Sequence, residues 1–343
     1  MKKTLMTMSV AMAALVAGAA NAQTLYVAGN GGSQEELMKS VIFPMFTEET
    51  GVEIVYSAGN SAAVLAKLLA GQDNQQTDIA MMNTGPMSQA IELGLCRDLD
   101  ISEHEENIHD FAKFDNGKAV GFGVVGLGVA YATEVFAENG WDAPTSWTAL
   151  EDDTFADKMV FQPLNNTNGM LALIKISEIY GGGVNDMDPG FAKMEETIAP
   201  NVLSFEPSSA RLAEMYQNGE VYISVWSSTQ VKVLAEKGFP IELVYPEEGA
   251  MIISNDVCAV TTEEMKPEAI EFVNFLISPE IQEILAKNLG FGPTNALAEL
   301  TEEEAQGVPY GEGAVSKLQA IDWNIVNASR EDWDRRWVRE IER

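Results

Sequence analysis

Between residues 24 and 94 the chain three times places a short apolar run, a polar glycine-bearing break and a helical pattern in succession, and this alternation limits the fold more than any other feature. The runs are Thr24 to Ala28, Val52 to Tyr56 and Asp78 to Met82. The breaks are Gly29-Asn30-Gly31-Gly32-Ser33, Ser57-Ala58-Gly59-Asn60-Ser61 and Asn83-Thr84-Gly85-Pro86. Helical patterns follow from Gln34, around Val64 to Leu69, and up to Leu93, where Gly94 ends the third; Pro44 disturbs the first. Such a β-α-β-α-β-α order predicts a parallel, doubly wound sheet. Ligands of such sheets lie beyond the carboxyl ends of the strands, so the three breaks are expected on one rim.

A second alternating region follows an apolar, glycine-rich run from Val120 to Ala132. Strands are expected at Met159 to Gln162, Tyr222 to Trp226 and Ile241 to Tyr245, and helices at Met170 to Tyr180, Ala192 to Ile198 and Ser208 to Asn218. This region reads as a second lobe inserted into the first. Val257 to Val260 then reads as a strand. Pro267 to Leu276, Glu280 to Asn288 and a tryptophan-bearing stretch from Ser329 to Arg343 read as helices.

The start of the chain is an address. Lys2 and Lys3 precede an apolar run from Met8 to Val16 and the small-residue site Ala20-Asn21-Ala22, so residues 1–22 are expected to be a secretory signal and Gln23 the mature start. The run is too short to span a bilayer. With 52 acidic against 21 basic residues, nucleic acid and anionic membrane surfaces are poor partners. An acidic, solvated surface accounts for the charge without implying an acidic site. Export permits a disulfide between Cys96 and Cys258, and two separate buried thiols fit the apolar contexts equally.

Several local patterns resemble type II periplasmic solute-binding proteins of ABC importers, in the cluster of polyamine, ferric-iron and phosphonate binders, closest to the spermidine/putrescine type. They are Phe46-Thr47-Glu48-Glu49-Thr50-Gly51-Val52, Thr145-Ser146-Trp147-Thr148-Ala149-Leu150, Ala269 to Leu276 with Ser278-Pro279-Glu280-Ile281-Gln282, and Gly290-Phe291-Gly292-Pro293-Thr294-Asn295. The resemblance implies an α/β fold of two doubly wound lobes joined by two crossover strands, near Gly126 to Ala132 and Asn255 to Val260. Residues 23–127 with 257–305 would form lobe 1, and 128–256 with 306–343 lobe 2. It implies a periplasmic receptor that closes on a small solute and docks the permease subunits of an importer. A monomer with no cofactor and no metal is expected.

Candidate ligand residues come from the rims: Asn30, Ser33, Asn60, Ser61, Asn83 and Thr84 in lobe 1, and Asn165, Thr167, Asn168, Trp226 and Ser227 in lobe 2. Helix starts bearing Ser, Thr or Asn suit a polar or anionic head, although ordinary capping uses the same residues. Trp226 could stack on a ligand or cradle a cation, with a core tryptophan as its alternative. Asp256, beside the second crossing, is the candidate anion for a ligand amine. By the same resemblance, Trp323 borders the cleft.

A polyamine-like amine is the first expectation for the ligand. Asn165 and Asn168 stand where the polyamine pattern has carboxylates, and Asn30-Gly31 and Asn83-Thr84-Gly85 stand where it has aromatics. A zwitterion, organic acid or phosphonate therefore fits the asparagine-rich rim as well. Ferric iron fits poorly, because Val225-Trp226-Ser227-Ser228 offers no tyrosine pair. Gly121-Phe122-Gly123-Val124-Val125-Gly126 spells a dinucleotide fingerprint but opens no helix, so close backbone approach is expected there. The two histidines, His104 and His109, lie five apart in an acidic stretch and assemble no catalytic set. A periplasmic enzyme on the same fold is the rival class.

Overall fold

The structure is a computed structural model that describes residues 23–114 and 116–342. The expected signal segment lies outside them. Strands β1 (Thr24–Asn30), β2 (Glu53–Gly59), β3 (Ile79–Asn83), β4 (Val120–Ala132), β5 (Met159–Phe161), β6 (Val202–Phe205), β7 (Ile223–Ser227), β8 (Ile241–Val244), β9 (Ala250–Ala259) and β10 (Leu318–Gln319) join one hydrogen-bonded sheet. The order is β2-β1-β3-β9-β4-β7-β5-β6, with β8 on β4 and β10 on β9.

Two doubly wound halves share this sheet. On β3, Ile79 and Met81 enter one apolar cluster with Leu25, Phe46 and Phe272, while Ala80 and Met82 enter another with Val64 and Leu68. On β7, Ile223 and Val225 face one cluster and Trp226 the opposite one. Both faces of each half are therefore covered, as parallel sheets require.

β4 and β9 are the crossovers. Val120, Phe122 and Val125 pack in lobe 1, whereas Leu127, Val129 and Tyr131 pack in lobe 2. β9 passes the other way, from Met251 in lobe 2 to Val257 in lobe 1, and Ile253 between them packs against both cores. Glycines let the strands pass closely: a Cβ on Gly126 would sit 2.5 Å from the Tyr245 ring, and one on Gly128 only 2.2 Å from the Val244 carbonyl oxygen. The fingerprint-like glycines differ from the expected backbone approach: Gly121, Gly123 and Gly126 make room chiefly for the side chains of Ser254, Phe291 and Tyr245.

Strand direction sets where the rims point. β1 runs parallel to β2 and β3, β3 and β4 are both antiparallel to β9, and so β1 to β3 share the direction of β4. β4 runs from lobe 1 into lobe 2, which aims the carboxyl ends of β1 to β3 at lobe 2. β7 is antiparallel to β4 and parallel to β5, which is parallel to β6, so their carboxyl ends point back at lobe 1. The two sets of loops face each other.

Local differences have local causes. The disturbance at Pro44 appears as a π turn, Met38–Ile42, between helices Ser33–Leu37 and Phe43–Thr50. Widening the turn there relieves the clash of the proline ring with the preceding turn. β9 starts at Ala250, not Val257, and the last helix at Trp323, not Ser329. Asp322 caps that helix by accepting from the Asn324 amide at 2.9 Å. Cys96 and Cys258 are joined in a disulfide with their Cα atoms 5.8 Å apart.

Candidate functional site

The lobe 1 rim is a chain of amides and hydroxyls. Asn30 ends β1 and donates its Nδ2 to Gln34 Oε1 at 3.3 Å. The Ser61 hydroxyl donates to Asn83 Oδ1 at 3.0 Å and lies 3.4 Å from Asn30 Oδ1. Asn83 Nδ2 reaches Asn255 Oδ1 on β9 at 3.3 Å, and the Thr84 hydroxyl reaches the Ser254 carbonyl at 3.5 Å. Asn30, Ser61, Asn83 and Thr84 are thus brought together as expected. Asn255 completes the network and was not singled out from the sequence.

Beside this network lies Asp256, fully buried on β9. Oδ1 accepts from the Ser254 hydroxyl, and Oδ2 has no hydrogen-bond partner. Burial pushes its carboxyl up to about 7, with the Ser254 and nearby Thr84 hydroxyls pulling the other way. A buried carboxylate without a cation is held only at substantial cost, so an incoming positive group has a large interaction to gain.

Asp256 and Thr84 line a cavity of about 300 Å³. Its other walls include Ser254, Trp323, Phe111 and Phe114, with Glu92 and Asp322 at its sides. One lysine, Lys113, also borders it and pairs with Asp110 at 3.2 Å. Carboxylates beside aromatic faces favour cations, through charge and through the ring quadrupole. Trp323 comes from the last helix, whose Val326 and Trp337 pack in the lobe 2 core, so the cavity is shared between the halves.

The remaining candidates are distributed differently. Asn60 caps its helix through the Ala63 amide at 2.8 Å, and Ser33 borders a separate cavity of about 250 Å³ with Gln34, Thr229 and Gln230. In lobe 2, Asn165 is exposed and accepts from Arg330 Nη2 through its carbonyl at 2.9 Å. Thr167 opens the helix Thr167–Ile179, and Asn168 donates to buried Gln162 at 2.6 Å. Ser227 is buried at the end of β7.

Trp226 is the correction. Its side chain is 0% exposed and stacks on Tyr216 with ring centroids 5.8 Å apart and planes within 10°. The indole N–H donates to the Ser209 hydroxyl at 3.3 Å, so the ring is a core residue of lobe 2. Trp226→Phe is expected to lower stability by about 1–3 kcal/mol while leaving solute affinity unchanged. Urea unfolding and calorimetric titration of the same preparation separate the two effects.

Residues 42–308 match the family model described as bacterial extracellular solute-binding protein. The chain belongs to the bacterial extracellular solute-binding proteins. It is 25% identical over 271 residues to the spermidine/putrescine-binding periplasmic protein of Salmonella typhimurium, covering 75% of this chain and 74% of the relative. It is 27% identical over 300 residues to the putrescine-binding periplasmic protein SpuD of Pseudomonas aeruginosa, covering 80% and 81%. Among solved structures, an ABC transporter protein from Clostridium perfringens superposes with a TM-score of 0.80 at 27% identity, over 92% of this chain and 99% of that one. The binding protein AfuA of Actinobacillus pleuropneumoniae shares the fold at a TM-score of 0.70 and 22% identity, over 93% and 99%. The chain is thus a solute-binding receptor of an ABC-type importer. No helix among the described residues is long and apolar enough to cross a membrane.

Proposed function

We propose that this receptor captures a small aliphatic amine between its lobes in the periplasm and presents the closed form, as a monomer, to the permease of an ATP-driven importer. The lobes would be residues 23–127 with 257–305 and 128–256 with 306–343. Asp256 carries the choice of ligand: its buried Oδ2 accepts no hydrogen bond, and the lysine that borders the cavity, Lys113, pairs with Asp110 instead. Trp323, Phe111 and Phe114 would cover the methylene chain, and Glu92 and Asp322 would draw further ammonium groups. The relatives named for spermidine and putrescine support the same class.

Uncharged Asn165 and Asn168 on the opposite rim, with the Arg330 guanidinium on the Asn165 carbonyl, favour as second reading a solute with a carboxylate or phosphonate at its far end. A solute of either kind would be released unchanged. Binding without turnover is further supported by relatives named for binding alone. His109 stacks on Phe111, and burial lowers its pKa below the ordinary histidine value.

A thermal-shift screen of putrescine, spermidine, amino acids, organic acids, phosphonates and ferric iron tests the assignment. The true ligand at about one hundred times its dissociation constant adds about 2.7 kcal/mol of stability. Silence from every amine, with a clear shift from an organic anion, would reject the amine and leave the receptor role standing.

A further inference from the structure

The final helix, Trp323–Glu340, is anchored in one lobe and touches the other. Its far half is fixed to lobe 2: Trp337 stacks on Phe161 and meets Phe205 edge-on, and Arg336 lies over Phe191 at 4.1 Å. Its first turns press on the helix Thr84–Glu92 of lobe 1. Asn327 Nδ2 donates to the Gly85 carbonyl at 3.1 Å, and Trp323 lies so close that a Cβ on Gly85 would sit 2.9 Å from its Cε3. One turn further on, Arg330 holds the Asn165 carbonyl of the lobe 2 rim at 2.9 Å. Three residues of helix span about 4.5 Å, so one short segment grips a rim loop of each lobe.

We propose that Asn327 and Gly85 form a closure latch: the last helix, carried by lobe 2, docks on the glycine at the start of the Thr84–Glu92 helix when the lobes shut, and this contact sets the balance between open and closed forms. Asn327 and Gly85 are positioning residues that act through Thr84, Asp256 and Trp323. The role of Gly85 follows from what glycine is needed for there. It is not among the glycines with positive φ, so its backbone suits alanine, and alanine favours a helix over glycine. Space for Trp323 is the remaining reason for the missing side chain. The latch rests on the receptor reading but not on the identity of the solute, because its contacts are between protein groups.

Gly85→Ala and Asn327→Ala test it in the full mature chain. Small-angle scattering of the empty protein should show a larger radius of gyration and a smaller compact fraction for both variants than for the wild type. With putrescine as probe, Gly85→Ala should weaken affinity about tenfold, mostly through faster dissociation, since contacts made after encounter govern the off-rate. The melting temperature of empty Gly85→Ala should be equal to or above that of wild type. A lowered melting temperature with unchanged scattering would overturn the latch and make the contact permanent packing. Coincident scattering profiles would overturn it as well. If putrescine binds none of the three proteins, the amine assignment fails, and the scattering of the empty proteins still decides the latch.

Discussion

Asp256→Asn is expected to abolish amine binding while making the empty protein more stable at pH 8. Removing one member of a buried charge pair costs about 2–5 kcal/mol of binding, or roughly thirtyfold to several thousandfold in affinity. The stability effect has the opposite sign because Asp256 is uncompensated when the cavity is empty. Its folded pKa is raised to about 7, above the ordinary carboxylate value, so between about pH 4 and pH 7 the folded chain keeps a proton that the unfolded chain releases. Stability contributed at low pH is therefore lost as pH rises through that window, up to about 4 kcal/mol, and the deficit stays constant above it. Asparagine does not titrate, so the advantage of the variant should appear between pH 5 and 8 in urea unfolding curves. Amine affinity of the wild type should rise over the same range, with release of a proton visible in calorimetry run in buffers of different ionisation enthalpy. A pH-independent affinity, or a variant that still binds, would remove Asp256 from the site.

Breaking the disulfide should have the second large effect. Cys96 and Cys258 close a loop with a sequence separation of 162 residues, which contains all of β4 to β8 and most of β9. Loop-closure entropy for that length amounts to about 5 kcal/mol, and native bridges commonly deliver about 2–5 kcal/mol. Cys96→Ser with Cys258→Ser, or reduction of the wild type, should lower the urea midpoint accordingly. Both bridge ends lie within lobe 1, so solute affinity measured well below the midpoint should be little changed. A stability loss under about 0.5 kcal/mol would mean that the unfolded chain is compact enough for the bridge to constrain nothing.

Much of this was readable from the chain because strand, break and helix recur with clear chemistry. The three lobe 1 breaks share a rim since parallel strands must end on the same side. What failed did so for physical reasons. Trp226 stands one residue before the end of β7, where a rim position is plausible, yet both faces of that strand are covered by apolar clusters, so the side chain has no open side. The early half of β9 was missed because Ser254, Asn255 and Asp256 interrupt the apolar run of a buried strand, and those polar residues are the ones facing the rim and cavity. The cysteine pairing depended on how far the chain folds back between positions 96 and 258, which no local pattern records. Trp323 is singled out by the resemblance alone, since the helical pattern is expected only from Ser329 while the helix itself starts at Trp323.

The threading of β4 and β9 through both cores bears on when the molecule can form at all. Lobe 1 lacks a central strand until β9 is made, and Phe272 and Leu285 of its core come later still. Lobe 2 in turn takes Trp337 of the final helix into its core. Each half therefore depends on contacts between residues far apart in the sequence, and such long-range pairings are slow to form.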